Sequence, residues 1–171
     1  MAKKTIFKRA QFSTLQARLF EQRRFIQVLA GPRQAGKPTL ARQVIESLEA
    51  PAHYSSADEP ALRGTPWVEQ QWEAGRAEAG AEKRKGGILV LDEIQKIPGW
   101  SETVKRLWDE DTRNGIPLKV VLLGSAPLLV QQGLSESLAG RFEIILVTHW
   151  SFSEMHAASG WTLEQYIYFG G

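Results

Sequence analysis

Short apolar runs alternate with amphipathic stretches along this chain. Phe12, Leu15, Leu19 and Phe20 recur near a 3.6-residue period between polar positions, which predicts a helix over residues 11–24. The run Phe25-Ile26-Gln27-Val28-Leu29 is apolar and β-branched enough for a strand buried on both faces. Leu40, Val44, Ile45 and Leu48 return to helical spacing, and Glu49-Ala50-Pro51 ends that helix. His53-Tyr54-Ser55-Ser56 reads as a short second strand, and Asp58-Glu59-Pro60 as the turn after it. Trp67, Val68, Trp72 and the alanine-rich tract to Ala81 read as a helix that Gly75 and Gly80 weaken, before an exposed link over residues 82–86. A fully apolar strand over residues 87–91 ends in Asp92-Glu93. Helical spacing through Val104, Leu107 and Trp108 closes at Asn114-Gly115. Residues 119–123 form another apolar strand, residues 128–138 a helix, and residues 142–147 a further buried strand. In the tail, Ser151-Phe152-Ser153-Glu154 caps a helix and residues 163–169 form the last one.

Buried strands alternating with helices predict an α/β domain of three layers around a mainly parallel central sheet. With 171 residues the chain has room for one such domain and its core. The composition adds mostly exclusions. Lys and Arg number 21 against 19 Asp and Glu, a surplus too small to indicate nucleic acid, and Lys83-Arg84-Lys85 reads first as a solvated basic patch. Cysteine is absent, which excludes a disulfide scaffold and a thiolate metal site. His53, His149 and His156 are too scattered for zinc. Six tryptophans lie mostly on expected helices and away from basic residues, so they read as packing groups and not as base-stacking platforms. The charged N-terminus leads into no apolar signal core, and no run approaches the roughly 18 apolar residues of a membrane span. A cytoplasmic protein is the expectation.

The chemistry begins where the first core strand enters Gly31-Pro32-Arg33-Gln34-Ala35-Gly36-Lys37-Pro38-Thr39. A strand, a glycine loop ending in Gly-Lys and then a helix is the context of a phosphate-binding loop: the glycines let backbone N–H groups turn inward, and Lys37 meets the β and γ phosphates. The helix N-terminus adds favourable charge at the same place. The pattern asks for Ser or Thr after the lysine, to supply a hydroxyl to Mg²⁺, and Pro38 stands there. Proline suits the first turn of a helix. It nevertheless lacks the hydroxyl and the N–H, and it biases Lys37 away from helical backbone. Thr39 points about 100° further round the helix and is a poor substitute. Nucleotide affinity is expected to fall by one or two orders of magnitude, and Mg²⁺-dependent hydrolysis further.

Asp92 and Glu93 end an apolar strand at the carboxyl edge of the expected sheet. Asp92 is placed to hold Mg²⁺ through water and Glu93 to orient or deprotonate the attacking water. Lys37 and this pair are expected to meet across one cleft at the ends of neighbouring strands, because ligands of open α/β sheets bind there. Ser125 could hydrogen-bond the γ phosphate or the water, or serve as a turn residue ahead of Pro127. Arg141 could reach phosphate in this subunit or in a neighbour's site.

On these residues the chain resembles a large prokaryotic family of predicted ATPases related to the AAA+ class, over residues 12–171. The loop from Gly31 to Lys37 looks like the family's opening motif. Leu91-Asp92-Glu93-Ile94-Gln95-Lys96-Ile97-Pro98-Gly99-Trp100 resembles its most specific signature, which carries the Walker B acid at Asp92 and the catalytic glutamate at Glu93. Gly124-Ser125-Ala126 is similar to the sensor segment, and Gly140-Arg141-Phe142 to a segment whose arginine senses phosphate. Ser151-Phe152-Ser153-Glu154 also fits a family motif. The resemblance implies a P-loop fold of AAA+ type, ATP and Mg²⁺ as cofactors, and an additional C-terminal domain. Tyr168-Phe169-Gly170-Gly171 resembles the point where relatives continue toward that domain, so the tail reads as an end inside a longer protein, with a naturally short product as the alternative. The expected organisation is a helical extension over residues 1–24 and the P-loop ATPase domain over residues 25–171. The expected function is ATP binding with slow hydrolysis. The alternatives are a nucleotide-sensing module without turnover and a DNA-processing ATPase. A homo-oligomer is an open possibility of partnership, and no membrane is expected.

Overall fold

The computed structural model describes residues 7–58, 65–81, 86–124 and 138–170. Helix α1 (Gln11–Phe20) stops four residues before the periodicity predicts, because Glu21 turns to extended backbone. Strand β1 (Ile26–Ala30), helix α2 (Lys37–Leu48), strand β2 (Ala52–Ser56) and helix α3 (Thr65–Ala81) follow. Then come β3 (Gly87–Asp92), α4 (Trp100–Asn114), β4 (Leu118–Gly124) and β5 (Phe142–Leu146), and the tail carries α5 (Phe152–Ser159) and α6 (Leu163–Phe169). A 3-10 turn at Ile94–Lys96 escaped the sequence reading, since three residues are too few to show a period. The helix expected over residues 128–138 lies outside the described residues.

All pairings are parallel, in the order β2-β3-β4-β1-β5. Alternate residues of the central strands face opposite layers, as the two-residue period of a strand requires. Leu89 and Leu91 of β3 join Ile26 and Val28 of β1 in a core shared with Trp72 of α3 and Leu107 of α4. Ile88 and Val90 face the other way and pack with Phe12 and Leu15 of α1 and with Leu40 and Val44 of α2. Helices therefore cover both faces of the sheet. Trp67, Trp72, Trp100 and Trp108 are all buried, as packing groups should be.

Two sequence expectations need correction here. β5 is an edge strand and is not buried along its length: Ile145 is 6% exposed, but Ile144 is 38% and Leu146 63% exposed. It pairs only with β1, and α3 and α4 lie over the far half of the sheet, so beyond Phe142 that side of β5 is uncovered among the described residues. An apolar run in sequence cannot distinguish a central strand from an edge strand. The second correction concerns neighbours: β1 and β3 are separated by β4, so Lys37 and Asp92 follow strands that are next but one to each other.

Candidate nucleotide site

The loop after β1 is shaped by close backbone contacts. A Cβ at Gly31 would lie 1.9 Å from the Val147 carbonyl oxygen, so only glycine lets β1 leave the sheet beside the end of β5. Gln34 (φ 63°) and Gly36 (φ 85°) both adopt the left-handed region, which turns the chain back toward the sheet and into α2. Gly36 is the N-cap of α2, and its carbonyl accepts from Leu40 N–H at 2.9 Å. Lys37 is the first helical residue even though proline follows it. The expected bias away from helix does not prevail here: a proline in the first turn removes no intrahelical hydrogen bond, and the local crowding of Lys37 by the proline ring is a preference that the Gly36 carbonyl bond to Leu40 outweighs.

Arg9 holds this loop from behind. Its buried guanidinium donates to the Ala35 carbonyl at 2.8 Å and the Thr148 carbonyl at 3.0 Å, and pairs with both oxygens of Glu154 at 2.9 and 3.0 Å. Glu154 also closes the capping box of α5 with Ser151. The loop, the chain before α1 and the start of α5 are thus tied through one side chain.

A cleft of about 330 Å³ opens at the carboxyl edge of the sheet. From the loop it is lined by Arg33, Gln34, Gly36, Lys37 and Pro38. Facing them are Asp92 and Glu93, together with Asp58 and Lys96. Lys37 is 3% exposed and its Nζ donates to the Gly31 and Pro32 carbonyls at 2.8 and 2.6 Å. Burial lowers its pKa, and the nearby charges of Glu93 and Asp92 oppose that shift. Asp92 is buried, and its pKa is raised by that burial. It accepts from Tyr54 Oη at Oδ2 (2.6 Å) and from the Glu93 backbone N–H at Oδ1 (2.9 Å). Glu93 itself sits in the left-handed region (φ 54°), a strained backbone for a non-glycine residue, and accepts from Gln95 Nε2 at 2.7 Å. Lys96 pairs with Asp58 and lies 3.8 Å from Glu93 Oε2.

The structure therefore brings Lys37, Asp92 and Glu93 together, across the end of β4. Ala35 is buried in the arch of the loop, and Thr39 is exposed on the first turn of α2, away from the residues that line the cleft. Ser125 and the cluster Lys83-Arg84-Lys85 lie outside the described residues. Arg141 is not brought to this cleft. It precedes β5, whose first residue pairs with Ile26 at the opposite end of β1, roughly 16 Å or more along the strand from the loop. There it forms a two-pronged pair with Asp109 at 2.7 and 3.0 Å. Sequence distance concealed this, since the entry to a parallel strand lies at the edge opposite its exit.

Sequence reasoning missed Tyr54, Asp58, Gln95, Lys96 and Arg9. Asp58 carried a weak signal, a carboxylate just past a strand. Arg9 and Tyr54 carried none, because their partners lie 145 and 38 residues away. Among the described residues no histidine or carboxylate cluster suits a bound transition metal, and no helix is long and apolar enough to cross a membrane. A larger cleft of about 460 Å³ lies at the opposite sheet edge, beside Leu48, Ile88 and Lys119, where no phosphate loop reaches.

The donor set suits a nucleotide with its metal. The cleft combines an ammonium at Lys37 with hard carboxylate oxygens at Asp92, Glu93 and Asp58, the ligand type that Mg²⁺ prefers. Residues 23–156 match the AAA domain family. An uncharacterized protein of Mycobacterium bovis is 38% identical over 120 residues, which cover 69% of this chain and 24% of that protein. An uncharacterized protein of Mycobacterium tuberculosis matches with the same values. The chain spans about a quarter of the length of these curated relatives. Among solved structures, the Walker-type ATPase PABY2304 of Pyrococcus abyssi superposes with a TM-score of 0.64 over 91% of this chain and 57% of its own, at 16% identity, a likeness of fold.

Proposed function

The chain belongs to the AAA domain family, and from that premise we propose that it binds ATP with Mg²⁺ in the cleft and hydrolyses it slowly, Pro38 being the cause of the slowness. The observation that carries this reading is the meeting of Lys37, Asp92 and Glu93 on one cleft of about 330 Å³. Lys37 exchanges its two loop carbonyls for phosphate oxygens, and the backbone N–H groups of residues 33–37 complete the cradle. Asp92 holds the metal through water. Mg²⁺, when bound, neutralises charge on the phosphate oxygens. Glu93 accepts a proton from water as the water oxygen attacks the γ phosphorus and the bond to the bridging oxygen of ADP breaks. The products are ADP and phosphate.

In this reading residues 25–171 act as the nucleotide-binding unit, and α1 is a helical extension that completes its flank. Arg141 acts, if the protein assembles, in the cleft of a neighbouring subunit. Mixing Arg141→Ala and Glu93→Gln proteins would then restore phosphate release that neither shows alone.

The direct test is calorimetric titration with ATP, with and without Mg²⁺, followed by a phosphate-release assay on the unaltered protein and on Pro38→Thr. Threonine is expected to raise Mg²⁺-dependent affinity ten- to a hundred-fold and turnover by more. Unchanged affinity and turnover would overturn the assignment to Pro38, and absence of ATP binding in both proteins would overturn the whole reading. Pro38 also favours a second reading, a nucleotide-sensing module whose loop no longer supports turnover: nucleotide binding by the unaltered protein without any phosphate release would select it.

A further inference from the structure

We infer that Tyr54 is a positioning residue for Asp92, its hydroxyl fixing the carboxylate in the orientation that meets the metal-bound nucleotide. The inference rests on the nucleotide reading above and deepens it. Tyr54 lies on β2 opposite Val90, two residues before Ser56, which is in register with Asp92. From there the ring runs along β3 toward its carboxyl end, and the hydroxyl donates to Asp92 Oδ2 at 2.6 Å. The Glu93 backbone N–H takes the other oxygen at 2.9 Å. Rotation of the carboxylate would break both bonds, so the pair of donors sets one orientation.

The ring also meets α2: the Arg42 guanidinium lies over it at 4.7 Å from the centroid, and α2 is the helix whose first turn carries Lys37 and Pro38. Tyr54 therefore stands between the phosphate-binding helix and the metal-positioning carboxylate. The absence of a hydroxyl at position 38 makes this more consequential: with proline there, Asp92 is the side chain on which the metal's placement chiefly depends, and a carboxylate free to rotate would hold it poorly. The ring's apolar surface already packs on the core beside α2. The hydroxyl is the part whose role packing does not supply.

The experiment compares ATP affinity in EDTA and in saturating Mg²⁺ for the unaltered protein, Tyr54→Phe, Asp92→Asn and the double variant. Tyr54→Phe is expected to leave the EDTA affinity within two-fold while cutting the Mg²⁺-dependent gain roughly ten-fold, the scale of a lost hydrogen bond to a charged group. In the Asp92→Asn background the same change is expected to alter that gain less than two-fold, since coupled residues are not additive. Where the phenylalanine form melts too low to assay, the same titrations at reduced temperature carry the same expectation, since the ring that packs on the core is kept. A full Mg²⁺ gain in Tyr54→Phe, equal losses with and without metal, or an additive loss in the double variant would overturn the positioning role while leaving the nucleotide reading intact. So would ATP binding by the unaltered protein with no Mg²⁺ gain at all. Failure of the unaltered protein to bind ATP would overturn both.

Discussion

At the level of single residues, the loop tolerates change very unevenly. Gly31 has the Val147 carbonyl where a Cβ would go, at 1.9 Å, so Gly31→Ala must push apart the ends of β1 and β5. That substitution is expected to cost about 3 kcal/mol or more, read as a fall in the denaturant midpoint. Gly80 is a control of opposite sign. It is helical, nothing lies within 4 Å of its added Cβ, and Gly80→Ala is expected to raise stability by about 0.5–1 kcal/mol. Lys37 and Glu93 separate binding from chemistry. Lys37→Ala should abolish measurable ATP binding, whereas Glu93→Gln should keep binding and lose phosphate release by at least about a hundred-fold. Equal effects of the two on binding would contradict the roles proposed for them.

At the level of elements, two buried ionic groups join pieces distant in sequence. Asp111, fully buried near the end of α4, accepts from Trp72 Nε1 and Arg76 Nε of α3, both at 2.8 Å. Removing it leaves the buried Trp72 Nε1 without its acceptor, while Arg76 keeps Glu73 and Glu110, so Asp111→Ala is expected to cost about 1–3 kcal/mol, measurable by urea titration. Arg9 and Glu154 join the phosphate loop to α5, and the pair carries a pH signature. The hydrogen bond from Arg9 holds the Glu154 carboxyl down at about 2 from an ordinary 4.5. A depressed carboxylate stabilises the fold above its unfolded value, and that contribution is lost as pH falls from near 4.5 toward 2. Thermal melts across this window should therefore show a steeper acid decline in the unaltered protein than in Glu154→Gln. Parallel declines would mean that the pair contributes no linkage.

At the level of the whole molecule, the nucleotide reading predicts that ATP raises the melting temperature in proportion to the logarithm of its concentration above Kd, because only the folded cleft can bind it. At a hundred times Kd the gain is about 2.7 kcal/mol, several degrees for a domain of this size. Lys37→Ala should remove the shift, and a shift that survives it would locate binding elsewhere. The molecule also shows why most of its elements were legible along the chain. Strands such as Ile88 to Leu91 are buried on both faces and must be apolar throughout, and helices such as α4 bury a single stripe that recurs through Val104, Leu107 and Trp108. Local chemistry likewise marked the loop from Gly31 to Lys37, since its glycines answer to backbone geometry and its lysine to phosphate. What lies across the sheet was illegible. Strand order put β4 between β1 and β3, set β5 at the sheet edge with one side uncovered among the described residues, and carried Arg141 to the edge opposite the cleft. The hydrogen bond of Tyr54 to Asp92 and the clamp of Arg9 arose in the same way. Sequence alone determined the elements and the candidate phosphate loop, because burial period and turn chemistry act between near neighbours in the chain. Only the tertiary structure decided which charged groups share a cleft, because parallel pairing sets distant residues side by side without leaving any periodic trace in either segment.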